Sequence, residues 1–148
     1  MAPKHAYEIY ISTTPEKLWA ALTDGELTQK YFFGTRAKST WKAGAELVYY
    51  DPKGGQMVEG KVIEADAPRR LVHTWHATYS DETKADRASR VTWTIEPRGP
   101  SLVKLSVTHD DFDGETATWK STGMGWPLVL SGLKTWLETN APMPMPPM

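Results

Sequence analysis

The chain has 148 residues, a formal net charge of -1, 40% hydrophobic residues and no cysteine. That length suits one domain with one core, and the missing cysteine excludes disulfide frameworks and thiolate sites. A balance of 17 Lys+Arg against 18 Asp+Glu, with no run of like charge, excludes the basic footprint of a nucleic-acid binder, and no stretch approaches the roughly 18 apolar residues of a membrane span. No apolar targeting segment opens the chain either, so a cytoplasmic protein is expected.

Tyr7 to Ile11 alternates as a strand. Thr13 or Thr14 then caps a helix with Pro15 at its first position and Leu18, Trp19 and Leu22 on its buried face. A second cap at Thr23 or Asp24 starts another short helix, which ends in Tyr31, Phe32 and Phe33 before Gly34. Three consecutive aromatics cannot all enter one core, so one of them is expected at a rim or lid.

Six further strands follow: a polar one over Thr35–Trp41, Ala45–Tyr50, Met57–Asp66, Arg70–Ala77, Arg90–Glu96 and Leu102–His109. They are separated by turns at Asp51–Gly55, Ala67–Arg69 and Pro97–Pro100 and by a charged, solvated loop over Ser80–Arg87. Helical residues start at Glu115, and Pro127 predicts a kink or restart at Gly123–Gly125. From Trp126 on, Val129, Leu130, Leu133, Trp136 and Leu137 share one apolar stripe roughly 120° wide. Residues 1–141 therefore read as one α+β domain with a long helix laid over a seven-stranded antiparallel sheet. Residues 142–148, rich in Pro and Met, read as a flexible or polyproline-like tail.

Strand alternation selects the face under the helix. With Trp93 inward, Val91 and Ile95 follow, then Leu71, His73 and Trp75 on the neighbouring strand and Leu47 and Tyr49 farther along. Tyr7, Ile9, Trp126, Leu130 and Leu133 complete the expected lining, with Tyr31, Phe32 and Phe33 at its edge. The simpler alternative is that these side chains close-pack and leave no void; seven Trp in so short a chain favour a cavity only mildly.

His73 is the one candidate for proton transfer in such a space, with Tyr49 to hold a carbonyl, although a histidine satisfied by one hydrogen bond in a buried wall needs no such role. His73 and His76 face opposite sides of their strand and cannot form a metal pair. His109, beside Asp110 and Asp111, is expected to cap the following loop, with ligand contact as the alternative. No nucleophile elbow, phosphate loop or zinc spacing is present, and no cofactor is expected.

Several segments carry a resemblance in order and spacing. They are Thr14–Thr23, Gly60–Glu64 leading into Pro68–Trp75, Val91–Pro97, Val107–His109, and Gly125-Trp126-Pro127 followed by Leu130, Leu133 and Leu137. Together they resemble the helix-grip fold of the START-like, or SRPBCC, superfamily, and within it the heat-shock protein 90 ATPase activator homologue family. The resemblance implies a curved seven-stranded sheet around a long C-terminal helix, with two short helices after the first strand. It also implies a deep apolar cavity that accepts lipids, polyketides or aromatic molecules. Relatives often place an aromatic or aliphatic residue at His73 and a small one at Asp111. The expected partner is a hydrophobic small molecule bound without catalysis. A polyketide cyclase or dehydratase using His73, and a chaperone-associated module, stay open as alternatives, and the chain is a monomer or weak homodimer.

Overall fold

The structure is a computed structural model and describes residues 2–146. Strand β1 (His5–Ile11) is followed by α1 (Pro15–Thr23), α2 (Gly25–Thr28), β2 (Arg36–Lys38), β3 (Glu46–Tyr50), β4 (Gln56–Asp66) and β5 (Arg70–Ala77). Then come α3 (Asp81–Lys84), β6 (Ser89–Gly99), β7 (Leu102–Asp110) and α4 (Ala117–Thr139). All seven strands join one antiparallel sheet in the order β1-β7-β6-β5-β4-β3-β2. With two short helices after β1 and α4 against the sheet, this is the helix-grip arrangement.

Local chemistry accounts for the starts. The Thr14 side chain accepts from the Lys17 N–H at 3.3 Å ahead of Pro15. Asp24 ends α1 and caps α2, accepting from the Glu26 N–H at 2.9 Å. Cross-strand register then aligns one inward row: Val62 pairs with His73, His73 with Val91, Val91 with His109, and His109 with His5. Three of the four histidines of the chain thus share a row beneath the helix.

Five expectations about elements are corrected. Helix α4 begins at Ala117, not Glu115, because Thr116 caps it by accepting from the Trp119 N–H at 3.1 Å. It also runs through Gly123–Gly125 and Pro127 as one continuous helix, so the restart expected there does not occur. Pro127 is exposed, and its missing bond costs about 3 kcal/mol. Burial of Trp126, Val129 and Leu130 on the same turns returns about 1.5–3 kcal/mol each and outweighs it. Close packing adds to this, because a Cβ at Gly123 would lie 2.7 Å from the His5 ring.

The charged loop contains α3, capped by Ser80, acidic at Asp81 and Glu82, and closed by Lys84. Strand β6 continues to Gly99 across an irregularity between Pro97 and Gly99, a position that tolerates the proline. Strand β2 stops at Lys38, short of Trp41, whose φ of 58° is incompatible with an extended ladder.

Candidate functional site

Between the first half of α4 and the strands β3, β4 and β5 lies a cavity of about 500 Å³, within the about 300–1,000 Å³ of small-molecule sites. Its walls come from the α2–β2 connection (Phe32, Phe33, Thr35), β3 (Tyr49), β4 (Met57, Val58), Trp75 of β5, and Trp126 and Val129 of α4. Tyr79, Ser121, Met124, Leu128 and Pro146 also contribute, and among the described residues no charged side chain lines the space. Tyr79 and Met124 are exposed and mark the mouth.

Aromatic contacts fix the inner wall. The Phe32 ring centroid lies 4.9 Å from Tyr49, 6.0 Å from Trp75 and 6.2 Å from Trp126. Trp75 lies 5.5 Å from Tyr49 and 6.1 Å from Trp126. These tilted and edge-on pairs hold the rings apart at a fixed spacing. Phe33 adopts a left-handed φ of 54° that carries its ring to Gly125, whose Cβ position would be 3.6 Å from it.

Five of the twelve side chains singled out from the sequence therefore line this cavity: Phe32, Phe33, Tyr49, Trp75 and Trp126. The other seven do not. Leu47, Leu71, Trp93, Leu130 and Leu133 are close-packed in the buried core. Tyr31 lies beneath Phe32 and donates its hydroxyl to the Ala21 carbonyl at 2.7 Å.

His73 is fully buried and occupied at both nitrogens. Its Nε2 accepts from the Trp93 indole N–H at 3.0 Å, which leaves the proton on Nδ1 to be donated to the Thr74 carbonyl at 3.0 Å. Burial lowers its pKa to about 4, opposed only by the Thr74 contact. No lone pair is left to take a proton.

His109 corrects another expectation. Although it is the penultimate residue of β7, it points inward, fully buried, instead of capping the next loop. The Trp126 indole N–H donates to its Nδ1 at 3.0 Å. Its Nε2 proton then goes to Ser89 Oγ at 2.7 Å, and the Ser89 hydroxyl donates to the Trp75 carbonyl at 3.2 Å. This chain ties the cavity's roof residue to the strand carrying its floor residue. Burial, with His5 and His73 nearby, pushes His109 down to about 2, so it stays a neutral strut. Its partner in the row, His5, donates to the Trp119 carbonyl at 2.8 Å and stacks on that indole at 5.6 Å.

Residues missed from the sequence follow a pattern. Val58 faces Tyr49 in the β3–β4 register and could have been found by extending the alternation. Met124 and Gly125 fall in the Gly123–Gly125 junction where a kink or restart was expected, and Ser121 and Thr122 in the helical stretch just before it, ahead of the apolar stripe. Pro146 could not be found, because nothing local says that a proline-rich end lies along a helix. Met143 and Met145 of that tail are half-buried, and Met145 Cε lies 3.3 Å from where a Gly132 Cβ would stand. Pro147 and Met148 lie outside the described residues.

Among the described residues, no group of three or more His, Asp or Glu could hold a metal ion, and no helix is long and apolar enough to cross a membrane.

Comparison with known proteins places this geometry in context. No curated protein matches the chain. Among solved structures, protein MLL2253 from Mesorhizobium loti is similar at 26% identity and a TM-score of 0.75, covering 90% of this chain and 96% of its own. PFC0360w, an HSP90 activator from Plasmodium falciparum, is 20% identical with a TM-score of 0.74 over 91% of this chain and 96% of its own. The Aha1 dimer from Colwellia psychrerythraea is 18% identical with a TM-score of 0.72 over 92% and 96%. The last two share the fold. The family described as Activator of Hsp90 ATPase homolog 1-like protein matches residues 12–138, nearly the whole domain, and the chain belongs to that family within the START-like superfamily.

Proposed function

We propose that this protein binds a mainly apolar small molecule, non-covalently and without turning it over, in the cavity between α4 and the sheet. The observation that carries the reading is an uncharged cavity of about 500 Å³ walled by Phe32, Tyr49, Trp75 and Trp126. Lipids, polyketides and other aromatic compounds fit its polarity, and the lack of cysteine suits a reducing cytoplasm. Native mass spectrometry and thermal shift against lipid and polyketide panels test it. A co-purified or added ligand that raises Tm, with the gain reduced in Trp75→Ala, is expected. No binder across the panels would end the reading.

A cyclase or dehydratase using His73 as base is disfavoured by the two hydrogen bonds that occupy its ring. A chaperone-associated role is favoured by the family and by the HSP90 activator among the structural neighbours. Its test is stimulation of a heat-shock protein 90 ATPase by the purified chain. The dimeric Aha1 neighbour makes self-association worth measuring by sedimentation.

A further inference from the structure

Between β5 and β6, residues 78–88 form a strap that carries α3. The strap grips the first turns of α4 at two points. The Tyr79 hydroxyl pairs with Ser121 Oγ at 2.6 Å, and the Asp86 carboxylate accepts from the Thr118 N–H at 2.9 Å and the Thr118 hydroxyl at 2.7 Å. Tyr79 and Ser121 both line the mouth of the cavity, so the position of the strap sets how wide that mouth stands. Thr78 and Arg87 tie the two ends of the strap to the Gln56 carbonyl and to Asp111. Among the described residues, the one side-chain hydrogen bond from the sheet to α3 itself comes from His76.

His76 sits between two acceptors. Its Nδ1 lies 2.9 Å from the Glu59 carboxylate, and its Nε2 lies 2.9 Å from the carbonyl of Lys84, the last residue of α3. A neutral imidazole carries a single N–H, whereas the imidazolium donates from both nitrogens. Both contacts therefore form together only in the charged ring, and loss of one proton must break one of them. His73 and His109 differ, because each of those rings meets one donor and one acceptor and needs no charge. The charged groups around His76 are Glu46 on β3, Glu59 and Lys61 on β4, Lys84 on α3, and Asp86 and Arg87 after it. Arg87 is paired with Asp111, and Arg90, farther along β6, with Asp110. Glu59 first, then the Lys84 carbonyl, raise the His76 pKa above its usual value against partial burial, and Asp86 adds a smaller pull.

We propose that the strap is a pH-sensitive clasp on the cavity mouth, closed while the His76 imidazolium bridges Glu59 and the Lys84 carbonyl and loosened when the ring loses a proton. The charged form is the closed form, so the clasp holds fully below the unperturbed histidine value of about 6.5 and is lost as pH rises through the higher value of the folded protein. As a gate for a guest the clasp rests on the cavity-binding reading above. As a property of the empty protein it does not, and the ligand-free chain tests it.

Amide hydrogen exchange of the ligand-free, full-length protein from about pH 6 to 8.5, corrected for the intrinsic pH dependence of exchange, reads the strap. Protection across residues 80–88 and 117–122 should fall about threefold over that range, the scale of one surface charge pair, while peptides spanning Leu130 and Leu133 stay constant. His76→Gln, which cannot charge, should abolish the pH response. Glu59→Gln should keep a response but move its midpoint to lower pH, which a merely structural histidine would not do. Thermal melts confirm that both variants are folded. Nitrogen-15 spectra of the wild-type imidazole should show His76 protonated at both nitrogens at pH 6. A flat wild-type profile, a response that survives in His76→Gln, a midpoint unmoved in Glu59→Gln, or a singly protonated His76 ring at pH 6 overturns the clasp and leaves the cavity-binding reading in place. Failure of every ligand panel removes the guest and leaves these results standing.

Discussion

The two halves of α4 lie over the same sheet and end differently. Toward its C-terminus, Leu130 and Leu133 are buried, α1 packs alongside, and Tyr31 comes within 3.3 Å of where a Gly132 Cβ would sit. Toward its N-terminus the helix meets aromatic rings held at 5–6 Å spacings and a cavity of about 500 Å³. Polar satisfaction follows the same division. The Tyr31 hydroxyl donates to the Ala21 carbonyl, whereas the Tyr49 hydroxyl, on the open side, has no partner among the described residues. A closed region needs every donor paired internally, but a region built around a guest can leave donors for the guest to complete.

The widest gap should appear in core truncations. Leu133→Ala, at 0% exposure, should lose about 2–5 kcal/mol, while Leu128→Ala, half-buried on the cavity, should lose under about 1 kcal/mol. Urea unfolding measures both, and equal losses would erase the distinction between the halves.

Next comes acid sensitivity. His73 has a native pKa near 4 and His109 near 2, both depressed by burial from an unfolded value of about 6.5. The unfolded chain therefore binds more protons, and stability, fully present above about pH 6.5, falls as pH drops through that value toward 4. His73 alone accounts for about 3 kcal/mol across that window. His76 shifts the other way through Glu59, but that pair is at the surface and offsets little. A urea midpoint that holds steady from pH 7 to 4 would show that the histidine row is not the neutral, buried set described.

The tyrosine pair gives a smaller, cleaner contrast. Tyr31→Phe should cost about 1–2 kcal/mol because it strands the Ala21 carbonyl, whereas Tyr49→Phe should change ligand-free stability by less than about 0.5 kcal/mol. A large loss at Tyr49 would mean that its hydroxyl is already satisfied. Smallest of all, deleting residues 142–148 should shift Tm by only a degree or two, through Met145 and Pro146, while speeding ligand exchange in stopped-flow fluorescence. Unchanged exchange would remove the tail from the mouth.

Strands were legible because each has one buried face, so the alternation around Trp93 and Ile95 carries both identity and side. The caps were legible to within one residue, Thr13 or Thr14 and Thr23 or Asp24, because a cap is settled within three residues; the structure selects Thr14 and Asp24. Pro127 misled because local propensity weighs one missing hydrogen bond and cannot weigh the burial of Trp126 on the same turn. The site was legible only in part for a related reason. Alternation told which side chains face the helix, but Leu71 and Tyr49 face it equally, and one is packed while the other borders empty space.

The sequence by itself determined the seven strands, the capped short helices, the apolar stripe of α4 and the family, since all of these rest on local periodicity and ordered motifs. Only the tertiary structure decided where α4 stands off from the sheet, and hence where the cavity lies. It also decided which indoles find a histidine. Trp93 and Trp126 do and Trp75 does not, because hydrogen-bond partnership depends on distances of about 3 Å across strands far apart in the chain, and periodicity carries no information about those distances.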